Sequence, residues 1–430
     1  MRIAIVTWNR RRIAGTETYL SKVIPALAGL GHTLGLWHEC DEPLNRECIE
    51  LPDQSERWNV AELGAETALS QLRGWQPDLI YAHGLADPGL EAEVLRIAPT
   101  VFFAHNYHGN CISGTKMFKY PFAQPCSRRF GWQCLVHFYP RRCGGLNPLT
   151  TLTQYQLQSR RHQNLPRYDA VIVFSEHLQK EYAALGLRTY LAYGDAHKKC
   201  VQEAASQLPF DSEREKSKSR ATTFRLRPYW QLLFLGRMEF VKGGHVLLNA
   251  LPLLKGKIDR PMRVVFAGDG PDRLSWERQG EEVRRLSPGL AIEFTGWLSE
   301  REVEELLDQT DLLVLPSLWP EPFGLAVIEA GRRGVPVAAF AVGAISGWLT
   351  DGLNGYLAHE MPPNAAGLAA AIGNCLSDPI RHLELRRGAI QVAERFQLND
   401  HMQVLEQIFA QVVSNRKLKS EQALSYSSRS

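Results

Sequence analysis

Short apolar runs alternate with helix-like runs along both halves of the chain, and this alternation constrains the fold more than any other feature. Residues 3–6 are apolar and β-branched and too few for a helix, so they predict a buried strand. A loop, an amphipathic helix over residues 18–30 and a second strand over 33–37 follow. This order is the opening βαβ unit of a parallel sheet.

The alternation continues through the first half and restarts in the second. Further strands are predicted at residues 79–81, 101–103, 170–174, 232–235, 263–267, 292–294, 312–315 and 335–339, and further helices at 245–254, 302–307 and 325–332. At 430 residues the chain is too long for one ordinary core. We therefore expect an α/β protein with two doubly wound domains.

A charged segment separates the two domains. Every residue from 211 to 220 is charged or serine, and such a segment cannot be buried, so it predicts a linker. Asp400 and Gln403 predict a capping box at the start of a C-terminal helix. The predicted order is a first domain, the linker, a second domain, the C-terminal helix and a disordered tail: 1–210, 211–227, 228–396, 397–415 and 416–430.

Residues 106–165 break the alternation and predict an insertion rich in Cys, Arg and aromatic residues. Four of the eight cysteines of the chain lie in it: Cys111, Cys126, Cys134 and Cys143. Zinc sites usually carry a closely spaced C-x-x-C pair, and these four have none. A zinc site and a set of buried or paired thiols are the two interpretations.

Composition excludes some functional classes. The content of 44% hydrophobic and 22% charged residues is that of a globular protein, and a net charge of +3 argues against nucleic acid as a partner. No run of about 18 uncharged apolar residues could span a bilayer, so we expect a cytoplasmic protein. Arginines cluster at 10–12, 128–129, 141–142 and 160–161, either as solvated surface or as a face for phosphates or an anionic membrane.

Two glutamates bracket the start of the helix predicted over 325–332. Glu321 precedes it in the sequence E-P-F-G, and Glu329 lies within it. Free N–H groups at a helix N-terminus attract anions, and carboxylates accept hydrogen bonds from hydroxyl groups. A sugar diphosphate needs both, although two glutamates at this spacing are also common as a surface and a cap residue.

Other candidate residues follow predicted strands. Gly236 and Arg237 close one strand and Lys242 opens the next helix, so the two cations could bind a diphosphate or be solvated. Gly268 could allow close backbone approach or a tight turn. Trp297 and Leu298 follow a further strand, and backbone groups there could face a flat base. In the first domain, Gly15 could contact phosphate and His105 the reacting sugar, although His105 taken in isolation is more typical of a core or turn histidine.

Taken together, these motifs resemble the retaining nucleotide-sugar glycosyltransferases of family four (group 1), of GT-B fold. The matching motifs are G-R-x-x-x-x-K-G at 236–243, G-D-G-P at 268–271, E-P-F-G-L-x-x-x-E-A at 321–330 and D-G-x-N-G at 351–355. They span most of the second domain. The first domain matches more loosely, through the Gly15 loop and His105.

The resemblance implies two Rossmann-like domains facing a central cleft, with the C-terminal helix crossing back to the first domain. Arg237 and Lys242 would bind the diphosphate, and Glu321 would grip the donor sugar beside His105. Glu329 would bind the ribose hydroxyls. The other donor contacts would come from Gly15, Gly236, Gly268, Trp297, Leu298 and the backbone of Phe323, Gly324 and Leu325.

The resemblance also implies the chemistry. A sugar would pass with retention from a UDP- or GDP-sugar to a hydroxyl acceptor, in polysaccharide, glycolipid or glycoside synthesis, and the acceptor could be lipid-linked. No D-x-D motif is present in the matching regions, so neither a metal nor another cofactor is expected. The stretch Val342–Gly347 departs from the family pattern G-G-x-x-E, because its acidic residue is missing. The alternatives are an epimerase-like nucleotide-sugar enzyme and a non-catalytic nucleotide-sugar-binding protein.

Overall fold

The structure is a computed structural model, and it describes residues 1–13, 15–44, 46–145, 147–193 and 227–427. Contacts divide the chain into two units. The first comprises Met1–Ala192, Pro320–Leu325 and Gln397–Ser430, and the second comprises Tyr193–Trp319 and Ala326–Phe396. Of the linker predicted over 211–227, all but Arg227 lies outside the described residues.

Within the described residues, the first unit has a seven-stranded parallel sheet and a short antiparallel hairpin of β6 and β7. Its strands are β1 Arg2–Asn9, β2 Thr33–Cys40, β3 Glu56–Asn59, β4 Leu79–Ala82, β5 Thr100–Ala104, β6 Met117–Phe118, β7 Gln124–Pro125, β8 Ala170–Val173 and β9 Thr189–Leu191. The order across the sheet is β3-β2-β1-β4-β5-β8-β9. The order reverses between β1 and β4, which is where ligands bind in doubly wound folds.

Helices of the first unit cover this sheet. Its central strands are therefore almost entirely buried, which is why they consist mainly of apolar residues. The described helices are Gly15–Gly29, Val60–Leu63, Ala65–Trp75, Pro88–Val94, Gln133–Phe138, Pro148–Asn164, Glu176–Ala183 and Leu398–Ser427. The first and last of them are joined by a hydrogen bond of 2.7 Å between the Tyr19 hydroxyl and His401 Nε2. Residues from both ends of the chain therefore build one core.

The second unit has a six-stranded parallel sheet in its described residues. Its strands are β10 Trp230–Leu235, β11 Met262–Ala267, β12 Leu290–Gly296, β13 Leu312–Leu315, β14 Val337–Phe340 and β15 Gly355–Ala358. Their order, β12-β11-β10-β13-β14-β15, is that of a Rossmann sheet and reverses between β10 and β13. The described helices of this unit are Gly244–Ala250, Arg273–Leu286, Glu300–Asp308, Leu325–Arg332, Ala365–Leu376 and Pro379–Ala393.

The C-terminal helix differs from the prediction at both ends. It begins at Leu398, so Asp400 lies in its first turn and is not the N-cap of a capping box. It continues to Ser427, through residues 416–427 that we expected to be disordered. Those residues are polar but include Arg, Lys, Glu, Gln, Ala and Leu, which favour helix.

Two further boundaries differ for local reasons. The helix predicted over 245–254 ends at Ala250 and tightens into a 3₁₀ turn over Leu251–Leu254, because Pro252 has no N–H to donate. The strand predicted at 335–339 is Val337–Phe340. Within the described residues, no helix is both long enough and apolar enough to cross a membrane.

Candidate functional site

In the second unit, the predicted donor residues lie at the carboxyl ends of the strands where the sheet order reverses. Gly236 and Arg237 directly follow β10, and Lys242 ends a short 3₁₀ turn over Phe240–Lys242. The segment after β13 leads through Trp319. The Lys242 ammonium lies 5.0 Å from the centroid of the Trp319 ring, so it packs against the segment that leads directly to Glu321.

Glycines let these loops approach one another closely. At Gly243, φ is +71° and an added Cβ would overlap the carbonyl oxygen of Pro316. At Gly268, φ is +132° and an added Cβ would overlap the carbonyl oxygen of Gly236. Gly236 and Gly268 are thus brought together, because Gly268 has no side chain at the point of contact.

Charge and aromatic surface lie nearby in the same unit. The Arg237 side chain is 67% exposed, and its Nε is 3.8 Å from Glu239, so its guanidinium can reach a ligand. Trp297 and Leu298 directly follow β12, and Trp297 is largely exposed. Glu329 is half-buried within the helix Leu325–Arg332.

The segment Pro320–Leu325, which contains Glu321, packs with the first unit rather than the second. This differs from the predicted boundary of 228–396. The Tyr107 hydroxyl donates to the carbonyl of Pro320 at 2.7 Å, and the Ser175 hydroxyl donates to that of Pro322 at 2.6 Å. The carbonyl groups on both sides of Glu321 are therefore held, and Glu321 itself is 3% exposed.

Ring packing also fixes a residue close to the start of the helix Leu325–Arg332, in the segment Pro320–Leu325. Phe323 stacks on Phe174 with centroids 4.6 Å apart and an angle of 20° between the planes. Gly324 has φ of +90°, which turns the chain into the helix that begins at Leu325. A Cβ on Gly15 would lie 3.5 Å from the Leu325 side chain, so the structure brings Gly15 together with this segment.

His105 follows β5 in the first unit and contacts a second histidine. Its Nε2 is 2.9 Å from Nδ1 of His83, which follows β4. Burial lowers the pKa of His105 from 6.5 to about 3, so the ring is neutral at physiological pH. One nitrogen of this contact donates and the other accepts, and Tyr19 and Phe103 pack around the His105 ring.

Tyr107, Ser175 and His83 were not predicted from the sequence. Burial, followed by the nearby Glu181 and Glu321 carboxylates, raises the pKa of Tyr107 well above its ordinary value, so its hydroxyl remains a donor. Ser175 and His83 each lie within two residues of a strand end, and Tyr107 lies two residues beyond His105. Their position at the carboxyl edge of the sheet was the available signal.

The four cysteines of the insertion are free thiols. Burial raises the pKa of Cys143 to about 12, so this thiol is neutral. Across the described residues, no group of three or more His, Cys, Asp or Glu side chains could hold a metal ion. Cys143 is buried, whereas Cys111, Cys126 and Cys134 are partly buried.

A family model described as glycosyl transferases group 1 matches residues 215–395. This segment is a glycosyl transferases group 1 domain. It includes the Gly236, Gly268 and Lys242 loops as well as the Glu321 segment. The resemblance drawn from the motifs is confirmed for this part of the chain.

Curated sequence relatives match less than half of the chain. The glycogen synthase of Mycobacterium tuberculosis is 34% identical over 161 residues, which are 37% of this chain and 37% of that protein. The D-inositol 3-phosphate glycosyltransferase of Corynebacterium urealyticum is 31% identical over 180 residues, 41% of this chain and 42% of that protein. The chain thus spans about two fifths of the length of these relatives.

Solved structures match almost the whole chain. Sucrose-phosphate synthase from Thermosynechococcus elongatus has a TM-score of 0.64 at 19% identity, covering 96% of this chain and 99% of its own. HepE from Anabaena in complex with UDP has a TM-score of 0.61 at 16% identity, covering 95% and 100%. At these identities the likeness shows the fold, and the expected GT-B fold class with two Rossmann-like units is confirmed.

Proposed function

We propose that this chain is a retaining glycosyltransferase that moves a sugar from a nucleotide-diphosphate sugar to a hydroxyl acceptor. The observation that carries the proposal is the pair of glycine loops at the reversal point of the second sheet, with Arg237 and Lys242 beside them. This is the part that matches the group 1 family. Two cations beside loops that pack this closely suit a diphosphate.

In the proposed reaction, the bond between the anomeric carbon and the diphosphate oxygen breaks, and a bond to the acceptor oxygen forms on the same face. Arg237 and Lys242 stabilise the negative charge that develops on the leaving diphosphate. A phosphate oxygen of that leaving group takes the acceptor proton. The C–O bonds and the proton therefore balance without a protein nucleophile or a metal.

Residues of the first unit would orient the sugar. The Glu321 carboxylate accepts hydrogen bonds from sugar hydroxyls, assisted by the backbone of Phe323, Gly324 and Leu325. Neutral His105 contributes a hydrogen bond without a charge of its own. In the second unit, Trp297, Leu298 and Glu329 contact the nucleoside. In the first unit, Gly15 permits close approach of phosphate or acceptor.

The donor and acceptor are finer parts of the proposal. Structures of HepE contain UDP or UDP-glucose, which supports a UDP-sugar as the first donor to test, followed by a GDP-sugar. We propose a lipid-linked acceptor and contact with the inner face of a membrane, because arginines cluster in the first unit.

Thermal stabilisation and slow hydrolysis with a panel of UDP-, GDP- and ADP-sugars test the class. We expect one donor to respond, and Lys242→Ala and Glu321→Ala each to lower its turnover about tenfold or more, or ~1.4 kcal/mol of transition-state stabilisation. Their melting curves should stay near wild type.

Lys255→Ala and Glu282→Ala, which change exposed residues of the second unit, are the matched controls. Near-normal turnover in Lys242→Ala or Glu321→Ala would remove that residue from the site. Epimerisation of the donor without hydrolysis or transfer would indicate the epimerase-like alternative, and binding without any turnover would indicate a binding protein.

A further inference from the structure

Acidic residues are missing from a long stretch of the first unit. No Asp or Glu occurs between residues 94 and 168, although the chain has 46 of them in 430 residues. The insertion over 106–165 holds eight Lys or Arg, a net charge of +8, so the rest of the chain has a net charge of −5. The insertion therefore differs in charge from the remainder of the molecule.

The structure separates the neutralised arginines from the exposed ones. Arg10 and Arg11 pair with Asp41 at 2.6 and 2.8 Å, and Arg12 pairs with Glu47 at 3.0 Å. In contrast, Arg128 and Arg129 are exposed on the insertion. No ion pair joins these two residues to a carboxylate among the residues that the structure describes. The cationic surface of the first unit thus lies on the insertion.

Exposed apolar side chains lie on the same insertion. Phe122 is 60% exposed in the loop between β6 and β7, and Trp132 is 66% exposed just before the helix Gln133–Phe138. Tyr120 and Val136 are also exposed. Burying such side chains requires an apolar phase outside the insertion itself, because each faces solvent here.

The insertion has its own small core, which leaves these residues on its outer side. Ile112, Phe138 and Cys143 form that core, with Phe130 and Leu135 packed against it. The hairpin is tied to the segment after the helix by hydrogen bonds of 2.9 and 3.1 Å from the N–H groups of residues 119 and 120 to the Arg141 carbonyl. The exposed side chains are therefore presented by an ordered support.

Cations and rings also interleave. The Arg142 guanidinium lies 5.2 Å from the centroid of the Tyr120 ring, and that of Arg141 lies 5.3 Å from the Phe118 ring. Amphipathic rings beside cationic groups are the composition that favours the headgroup region of a bilayer. A flat sugar would use the rings but leave Val136 without an apolar partner.

We propose that Tyr120, Phe122, Arg128, Arg129, Trp132 and Val136, here named the insertion surface, dock this chain on an anionic phospholipid membrane. The apolar side chains enter the boundary between headgroups and acyl chains, and the arginines bind the phosphates. Stable membrane binding takes two signals, one apolar and one cationic, and this surface supplies both. The inference rests on the membrane contact proposed above and assigns it to particular residues.

Sedimentation of the full chain with vesicles of phosphatidylcholine, with and without phosphatidylglycerol, tests the inference. Binding should be stronger with the anionic lipid and weaken at high salt, and part of it should persist there because the apolar contribution is not screened. Arg128→Ser with Arg129→Ser should lower the partition coefficient at low salt about tenfold or more. Phe122→Ser with Trp132→Ser should remove the part that persists at high salt.

Matched controls exist on the helix Arg273–Leu286 of the second unit. Leu274 and Leu286 are 70% and 75% exposed, and Arg284 and Arg285 are exposed cations. Leu274→Ser with Leu286→Ser, and Arg284→Ser with Arg285→Ser, should leave vesicle binding unchanged. All four double variants should keep the wild-type melting curve and donor hydrolysis.

The outcomes separate the two proposals. Failure of the wild-type chain to bind either kind of vesicle at either salt would overturn the membrane contact itself. Binding that the insertion variants retain as well as the control variants do would overturn the assignment to this surface. Capture by an anionic polysaccharide or RNA, with no vesicle binding, would likewise overturn it. None of these measurements depends on sugar transfer, so they can fail or succeed independently of the proposed reaction.

Discussion

Gly243 occupies a conformation and a space that only glycine tolerates. Its φ of +71° lies in the left-handed region, and its Cα approaches the Pro316 carbonyl too closely for a Cβ. Gly256 has nearly the same φ, +75°, but open space around it. The pair separates the effect of backbone strain from that of close approach.

Gly243→Ala should therefore destabilise the second unit more than Gly256→Ala. The control should lose about 1 kcal/mol of unfolding free energy from strain alone. Gly243→Ala should lose about 2 kcal/mol or more beyond that, because the overlapping atoms must move apart. Urea denaturation measures both, and equal losses would show that the carbonyl of Pro316 is free to shift.

At the scale of elements, the Glu321 segment depends on two side chains far away in sequence. Tyr107 and Pro320 are 213 residues apart, and Ser175 and Pro322 are 147 apart. Tyr182 is a useful match for Tyr107, because its buried hydroxyl also donates to backbone carbonyls, those of Asn106 and His108, at 2.8 and 3.0 Å.

Tyr107→Phe should weaken binding of the sugar more than binding of the nucleotide. The variant keeps the ring but leaves the Pro320 carbonyl without its donor, which loosens the segment that positions Glu321, at a cost of about 1–3 kcal/mol. Titration calorimetry should show affinity for the nucleotide sugar falling about tenfold while affinity for the nucleotide alone stays near wild type.

Tyr182→Phe should lower the melting temperature about as much as Tyr107→Phe does. It should not weaken binding of the nucleotide sugar relative to binding of the nucleotide alone. If the two variants change sugar and nucleotide binding in the same way, Tyr107 has a structural role only.

The sequence predicted those elements whose signal is local. β13 and the helix Leu325–Arg332 have the predicted bounds, because an apolar run leads into the E-P-F-G turn and a helix-like run leads out. β3 and β15 were missed, since each has four residues and lies at a sheet edge, where burial does not impose an apolar pattern.

The same distinction applies to the candidate site. Arg237, Lys242 and Glu321 stand out because their loops carry recognisable local patterns. Tyr107 and Ser175 do not, because their contacts with the Glu321 segment exist only after chain segments distant in sequence have met. Their roles could not be read from spacing.

For the whole molecule, buried histidines predict a loss of stability in acid. Burial lowers the pKa of His401 in the first unit and of His382 in the second from 6.5 to about 4. Below pH 6.5 these two histidines are protonated in the unfolded chain, whereas in the folded chain they stay neutral until about pH 4. Stability is therefore fully present above pH 6.5 and is lost as pH falls toward 4.

Melting temperatures measured from pH 7 to pH 4 should fall accordingly, since each unit of pKa separation corresponds to about 1.4 kcal/mol. His401→Gln should make the decline shallower, because glutamine does not titrate. A wild-type melting temperature that stays constant over this range would contradict the assignment.

The first unit takes its last helix from the far end of the chain. Tyr19 meets His401 across 382 residues, and His32 contacts Glu406 at 2.8 Å. During synthesis, β1 and the helix Gly15–Gly29 emerge from the ribosome long before the helix Leu398–Ser427, and their core cannot close until that helix has been made. Termination of synthesis before Leu398 would thus leave the core of the first unit without one of its helices. The truncated chain would expose apolar surface, and chaperones and proteases would recognise it.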